Sequence, residues 1–198
     1  MRRGTSSRRR HDKRRTTRQR VLCALLAAAA FAPLPAAAAG AASAPSQAQI
    51  LPPFTAGPGA DMQFGQITTN GTAGTVTIPA SAPPATCTTT GTLVHAGACR
   101  AARFDGDTTW LFTLRVTKPA GNQFTLTGPA GATMVVNNLT YTGTGMINWF
   151  GSTATEQVFL VTNGSGAFSL YVGGRLNVGV NQRPGVYTGT FTLTFNYD

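Results

Sequence analysis

Few side chains in this sequence belong to the types that perform acid–base, nucleophilic or metal chemistry. Beyond residue 20 there is one histidine, His95, and neither a G-x-S-x-G nucleophile motif nor an H-E-x-x-H zinc motif accompanies it. Paired carboxylates could hydrolyse a glycosidic bond, but no spacing in the chain selects such a pair. The acids beyond residue 20 are Asp61, Asp105, Asp107, Glu156 and Asp198. We therefore expect no enzymatic activity, no catalytic residue and no cofactor.

The Asp-Gly-Asp segment at residues 105–107 has the appearance of a fragment of a calcium-binding loop. A calcium site needs about six to eight oxygen ligands, and the neighbouring sequence supplies no further carboxylates. The other interpretation is a tight turn that leads into a strand beginning at Trp110. The scarcity of ligands favours the turn, and we expect no metal site.

Two cysteines, Cys87 and Cys99, lie twelve residues apart in the part of the chain that we expect to fold. A metal would require more ligands than these two thiols and His95, and a redox pair usually has the C-x-x-C spacing. In an exported domain an even pair predicts a structural disulfide, which would stabilise the fold by roughly 3 kcal/mol.

The positive charge of the chain is concentrated at its N-terminus. The formal net charge is +10, but ten of the 16 basic residues lie in residues 1–20, and six basic groups face five acids in the remainder. This uneven distribution of charge argues against a folded domain that binds nucleic acid. An apolar stretch at residues 21–32, too short to span a bilayer, and a small-residue tract follow the basic run.

This order predicts a signal peptide over residues 1–39, with cleavage near Ala39. The protein would then be exported to the periplasm, the cell surface or the extracellular space of a bacterium, with no stable membrane span after cleavage. A nucleic-acid-binding arm and a retained anchor are the alternatives. Residues 40–60, rich in Ala and Pro, are interpreted as a flexible or extended lead-in.

Residues 61–198 are rich in Thr, Gly, Val and Phe, a composition that favours strands and tight turns. Alternation of apolar and polar residues is clearest at residues 110–117 and 187–197. Weaker candidate strands include residues 62–67, 124–127, 167–172 and 176–180. Turn signals separate them, such as Gly173-Gly174 between the last two. This pattern predicts one all-β domain, an antiparallel immunoglobulin-like or pilin-like β-sandwich.

The segment RLNVGVNQRPGVYTGTFTLTFNY at residues 175–197 resembles the end of the DUF4402 family of exported bacterial domains. DMQFGQI at 61–67, GTVTI at 74–78 and QFTLTGPAGA at 123–132 are similar to its earlier parts. The resemblance implies a β-sandwich grouped with fimbrial proteins, and it does not imply an activity.

The same ending is similar to the last strand of chaperone–usher pilin subunits. Their final strand has a penultimate Tyr, matched here by Tyr197, and a Gly fourteenth from the end, matched by Gly185. The resemblance implies assembly by strand addition, with a periplasmic chaperone and homologous subunits as partners. The residues that would take part are Gly185, Tyr187, Phe191, Leu193, Phe195 and Tyr197. The alternative is that residues 187–197 form a central strand of a complete sandwich.

Two features keep a second function open. The lead-in that should donate a strand contains Pro45, Pro52, Pro53 and Pro58, and proline cannot donate to a ladder, so that only residues 47–51 and Phe54 could serve. A monomeric surface or periplasmic binding module for glycans is therefore the alternative. Its aromatic platform would use Trp149, Phe150 or Tyr141, although core packing is the commoner role of such residues.

Overall fold

The computed structural model describes residues 54–197. They form an antiparallel β-sandwich with two short 3-10 turns, at Ala120–Asn122 and Pro129–Gly131. The predicted all-β antiparallel class is confirmed. The predicted signal peptide and most of the lead-in lie outside the described residues. The strands, in chain order, are β1 Thr55–Ala60, β2 Gln66–Thr68, β3 Gly74–Ile78, β4 Thr88–Thr89, β5 Val94–Ala96, β6 Ala102–Asp107, β7 Thr113–Thr117, β8 Phe124–Thr127, β9 Thr133–Thr144, β10 Met146–Asn148, β11 Glu156–Val161, β12 Ala167–Val178 and β13 Thr194–Tyr197.

Strand β12 organises the larger, seven-stranded sheet. Along one side it pairs first with β6 and then with β3, and along the other side it pairs with β9. The outer strands are β1 beside β6, β4 beside β3 and β8 beside β9. The smaller sheet has the order β10-β11-β7-β13, and a separate two-stranded ribbon joins β2 to β5.

Alternating apolar side chains from both sheets form the core. Leu114 and Val116 of β7 and Phe159 of β11 are fully buried, as are Leu170 and Val172 of β12. Burying each such side chain contributes about 1.5–3 kcal/mol. The period-2 pattern predicts this arrangement because successive side chains of a strand point to opposite faces.

The Gly173-Gly174 pair does not form the predicted turn but lies inside the continuous strand β12. A Cβ at Gly173 would stand 2.4 Å from the carbonyl oxygen of Ile78, and one at Gly174 would stand 2.8 Å from Leu139 Cδ2. The glycines therefore allow neighbouring strands to approach β12 closely, at the point where its register with β9 shifts.

The Asp-Gly-Asp segment also differs from its prediction, because it lies in strand β6 and not in a turn. Asp105 pairs with Arg103 at 3.0 Å, and its carboxylate accepts a 2.7 Å hydrogen bond from the Ser169 hydroxyl of β12. The carboxylate is thus part of the cross-strand packing of the large sheet. Among residues 54–197 no three metal-ligating side chains come together.

Two strand boundaries differ from the sequence interpretation. The strand expected from Trp110 begins at Thr113, because Leu111 has a positive φ of 62° and a turn joins Thr109 to Phe112. This turn leaves Trp110 55% exposed. At the other boundary, the last six residues of the expected lead-in form β1, which pairs with β6 despite Pro58.

Candidate strand-acceptor groove

The C-terminal segment, residues 187–197, is only partly a strand. Thr194–Tyr197 pairs with β7 in the small sheet, and Thr188 makes an isolated bridge to Thr127 of β8 in the large sheet. No backbone hydrogen bond joins residues 189–193 to any other described residue. The prediction that residues 187–197 form one continuous strand is therefore wrong. Thr188 pairs with the large sheet, and only Thr194–Tyr197 forms a strand, in the small sheet.

The predicted burial of one face of this segment is confirmed. Leu193 is buried and Phe191 and Phe195 are half-buried, whereas the threonines between them are exposed. The Phe191 ring lies 4.9 Å from that of Phe124 and 5.9 Å from that of Phe104, measured between centroids. Side-chain packing thus holds a stretch whose backbone groups have no hydrogen-bond partner among residues 54–197.

The pairing is interrupted because the segment changes sheets. At Thr188 it lies against the edge of the large sheet, and at Thr194 it has joined the small sheet. Packed sheets are about 10 Å apart, so the residues between must cross from one layer to the other. Gly189 permits the start of this crossing, since a Cβ there would stand 2.4 Å from the Thr125 carbonyl oxygen.

A cavity of about 1150 Å³ opens beside the crossing, and we call it the groove. Its roof is the inner face of the large sheet, and one side is residues 182–191. The opposite side is residues 61–69, which we call the wall; it presents Met62, Phe64 and Ile67. The apolar side chains of the roof are Phe104, Phe124, Leu126, Met134, Leu176 and Val178.

Gly185 and Tyr187 lie at the loop end of the groove and not in a strand. Gly185 has φ near 143° and stands so close to Pro129 that a Cβ would be 2.2 Å from its ring. The Tyr187 ring covers Gly128, and its hydroxyl donates to the Arg183 carbonyl oxygen and accepts from Gln182 Nε2, both at 2.7 Å. These two residues position the loop that begins the crossing.

Phe195 and Tyr197 lie in β13, beyond the crossing. The Phe195 ring is 6.0 Å from that of Phe104 and 6.3 Å from that of Phe54. The Tyr197 backbone pairs with Leu114, and its side chain lies outside the described residues. Of the six predicted assembly residues, Gly185, Tyr187 and Phe191 line the groove itself.

Most residues that line the groove are not identified as site residues by the sequence alone. Phe124 and Leu126 belong to a strand that was predicted correctly at residues 124–127, and their alternation indicates a buried face. Alternation cannot distinguish a face covered by another sheet from a face left open to a cavity. The wall offered a weaker signal: the sequence predicts a strand at 62–67, whereas β2 forms at Gln66–Thr68.

The predicted disulfide between Cys87 and Cys99 is confirmed. It closes the excursion from Cys87 to Cys99, which contains β4 and β5. His95 lies in β5 opposite Ile67, and its Nε2 is buried without a hydrogen-bond partner among the described residues.

The three aromatics considered for a glycan platform have different environments. Tyr141 is buried, and its hydroxyl donates to Asn122 Oδ1 at 2.9 Å. Burial raises the pKa of this phenol above its usual range. Trp149 and Phe150 lie on the surface after β10, 41% and 85% exposed, with ring centroids 5.4 Å apart. Tyr141 is thus a core residue, and only the pair is available to a ligand.

These observations define the class: an antiparallel β-sandwich with an apolar groove beside a partly unpaired C-terminal segment. A family model described as "Domain of unknown function (DUF4402)" matches residues 54–197, and the chain belongs to this family. The curated proteins and the solved structures give no significant match to the chain. In the described part of the chain no helix is long and apolar enough to cross a membrane.

Proposed function

We propose that this protein is an exported structural or adhesive subunit of a fimbria- or pilus-like assembly, and that its groove accepts an added β-strand. The observation that carries the proposal is the stretch 189–193, whose backbone has no partner among the described residues and whose first three residues line the apolar groove. Strand addition couples backbone pairing to pockets that receive alternate side chains. The groove offers both parts of that recognition.

The direction of the unpaired groups supports this use. Backbone N–H and C=O groups of alternate residues point to the same side of an extended chain. The groups of Thr188 point to Thr127 of β8, at 2.8 and 3.0 Å. In a regular extended chain those of Thr190 and Thr192 would face the same side, where Phe124 and Leu126 of β8 line the groove. An added strand would pair with these groups and turn its apolar side chains toward the roof.

The chain's own β1 is not available as a donor to a neighbour. Thr55–Ala60 pairs with β6, and Phe54 stacks on Phe168 at 6.3 Å. A donor from another copy would have to lie before Phe54, where residues 47–51 are the best alternating segment. A periplasmic chaperone strand followed by a homologous subunit is the proposed order of partners. The disulfide fits an oxidising compartment outside the cytoplasm.

Replacing Thr190 tests the proposal. Thr190→Pro removes an N–H that has no partner among the described residues, so the described part of the fold loses no hydrogen bond. The control Thr190→Val keeps the N–H and the extended preference. We expect wild type and Thr190→Val to bind a labelled peptide of alternating valine and threonine and to form SDS-resistant ladders. Thr190→Pro should bind this peptide about tenfold more weakly, as for one lost hydrogen bond.

Two results would contradict strand addition. The first is a Thr190→Pro variant that binds the peptide and assembles as wild type does. The second is a wild-type protein that elutes as a sharp monomer from size-exclusion chromatography and binds no peptide. That second outcome would favour the monomeric binding module.

A glycan-binding role is the second candidate, favoured by the exposure of Trp149 and Phe150. Their edge-to-face contact presents an open aromatic surface on which a sugar ring could stack. A glycan array read with wild type and Trp149→Ala tests this role. A ligand lost in the variant supports it, and an array with no wild-type ligand removes it.

A further inference from the structure

We infer that the Cys87–Cys99 disulfide acts as a redox switch for the groove, because it secures the excursion to which the wall is bonded. This inference rests on the proposed function, since it concerns when the groove can accept a strand. Its structural part, the dependence of the wall on the disulfide, can be measured without any partner.

The wall is bonded to one neighbouring segment. Gln63 exchanges two backbone hydrogen bonds with Arg100, at 2.8 and 3.0 Å, and Arg100 Nε donates to the Asp61 carbonyl oxygen at 3.1 Å. Further along, β2 pairs with β5. Within the described residues, every backbone hydrogen bond between the wall and another segment goes to residues 94–100. The backbone of the wall is therefore bonded to those residues alone within the described part of the chain, while Met62, Phe64 and Ile67 also pack against the core.

Residues 94–100 belong largely to the disulfide-closed excursion, which has almost no core of its own. From residue 88 to residue 98 only Leu93 is buried, and most other side chains are exposed. A segment that buries so little apolar surface opens locally at low cost. Cross-linking its ends restricts the open state, and this is how a disulfide stabilises a loop.

The other contacts that hold the Cys87–Cys99 excursion to the sandwich are weaker or lie at its two ends. Strand β4 makes two pairings with β3, and hydroxyl contacts join Thr92 to Thr72 and Asn70 on the exposed surface. The C-terminal end continues into β6 through Ala101, which is buried. Leu93, directly before β5, is buried in the core, and Thr90 N–H donates to the Thr75 carbonyl oxygen at 2.9 Å. Among the described residues, the backbone of β5 itself bonds only to β2. Without the disulfide, we expect β2 and β5 to separate from the sandwich together.

The switch follows from the chemistry of the two thiols. Forming the bond removes two protons and two electrons from Cys87 and Cys99, and a disulfide-bearing oxidant accepts the electrons and becomes a dithiol. Before that exchange the wall is loose and the groove has one side missing. After it the groove is complete, so strand acceptance is confined to a compartment that oxidises thiols.

Amide hydrogen exchange on the full chain tests the inference. The comparison is between oxidised wild type, wild type reduced with dithiothreitol, and the double variant Cys87→Ala/Cys99→Ala. We expect protection at residues 63–68 and 94–96 to fall about tenfold or more in the two samples without the bond. Protection in β12 should remain, because that strand is held by three neighbours in the core. Affinity for the valine–threonine peptide should fall in parallel with protection of the wall.

Two exchange results would overturn the inference: unchanged protection of the wall in both samples, or an equal loss of protection in β12. The second result would mean that the disulfide acts on the whole fold and not on the wall. If the peptide fails to bind oxidised wild type, strand acceptance fails, and the exchange data still decide whether the disulfide holds the wall.

Discussion

The backbones of Thr127 and Thr188 exchange two hydrogen bonds, at 2.8 and 3.0 Å, and this is the last pairing of the C-terminal segment with the large sheet. The next pairing is that of Thr194 with Thr117 in the small sheet. Between these two pairings the backbone has no hydrogen-bond partner in the described part of the chain. This interval of five residues spans about 17 Å when extended, enough for a short added strand.

This relationship predicts that two proline substitutions destabilise the free subunit to different extents. Thr188→Pro removes the N–H that donates to Thr127, and leaves that carbonyl oxygen without its partner, so we expect a loss of about 1–2 kcal/mol in the free energy of unfolding. Thr190→Pro removes no such bond and should cost less. Urea denaturation of both variants checks the order. Equal losses would indicate that residues 189–193 are paired in solution.

Gly173 should not tolerate a methyl group. In Gly173→Ala the new Cβ would meet the Ile78 carbonyl oxygen and the Ala80 amide nitrogen at about 2.5 Å or less, and both are backbone atoms that cannot rotate away. We expect a loss of about 1–3 kcal/mol. Gly57→Ala is the matched control in an edge strand, where no atom lies within 4 Å of the added Cβ. Thermal unfolding should leave the control near wild type, and a tolerated Gly173→Ala would contradict the close approach.

Phe191 should contribute to stability through its contacts with Phe124 and Phe104. Truncating this half-buried ring in Phe191→Ala should cost about 2 kcal/mol, below the range for fully buried rings. Phe150→Ala removes the same atoms from a side chain that is 85% exposed, and should change the free energy of unfolding by less than about 0.5 kcal/mol. Similar values for the two variants would contradict the packing of residues 189–193 against the roof.

The raised pKa of the Tyr141 phenol predicts how the free energy of unfolding changes at alkaline pH. Burial raises the pKa of its phenol in the folded state, so folding favours the neutral form. The stability that this group contributes is present below its pKa in the unfolded chain, about 10, and is lost as the pH rises toward the folded value. Tyrosinate absorbance should show a phenol that ionises above the usual range of tyrosine. Tyr141→Phe should remove this step, and a Tyr187→Phe variant that removes it instead would contradict the assignment.

Much of the sandwich follows from local sequence. Alternating residues in β8 and in the later part of β7 predict their buried faces, because side chains of a strand point alternately to two sides. Strand β6 was missed, since Asp105-Gly106-Asp107 has the composition of a turn. It becomes a strand because β1 and β12 pair with it and supply Ser169 to the Asp105 carboxylate.

The sequence by itself determined that the domain is all-β, that Cys87 and Cys99 could be bridged, and that Phe191, Leu193 and Phe195 share a buried face. All three follow from residue type and from spacing along a single segment. Only the tertiary structure decided that Thr188 and Thr194 join different sheets, that the wall stands opposite, and that a groove lies between. Those relationships depend on which segments meet across long separations, and alternation within one strand is the same whether its neighbour is a strand of the same chain or an open groove.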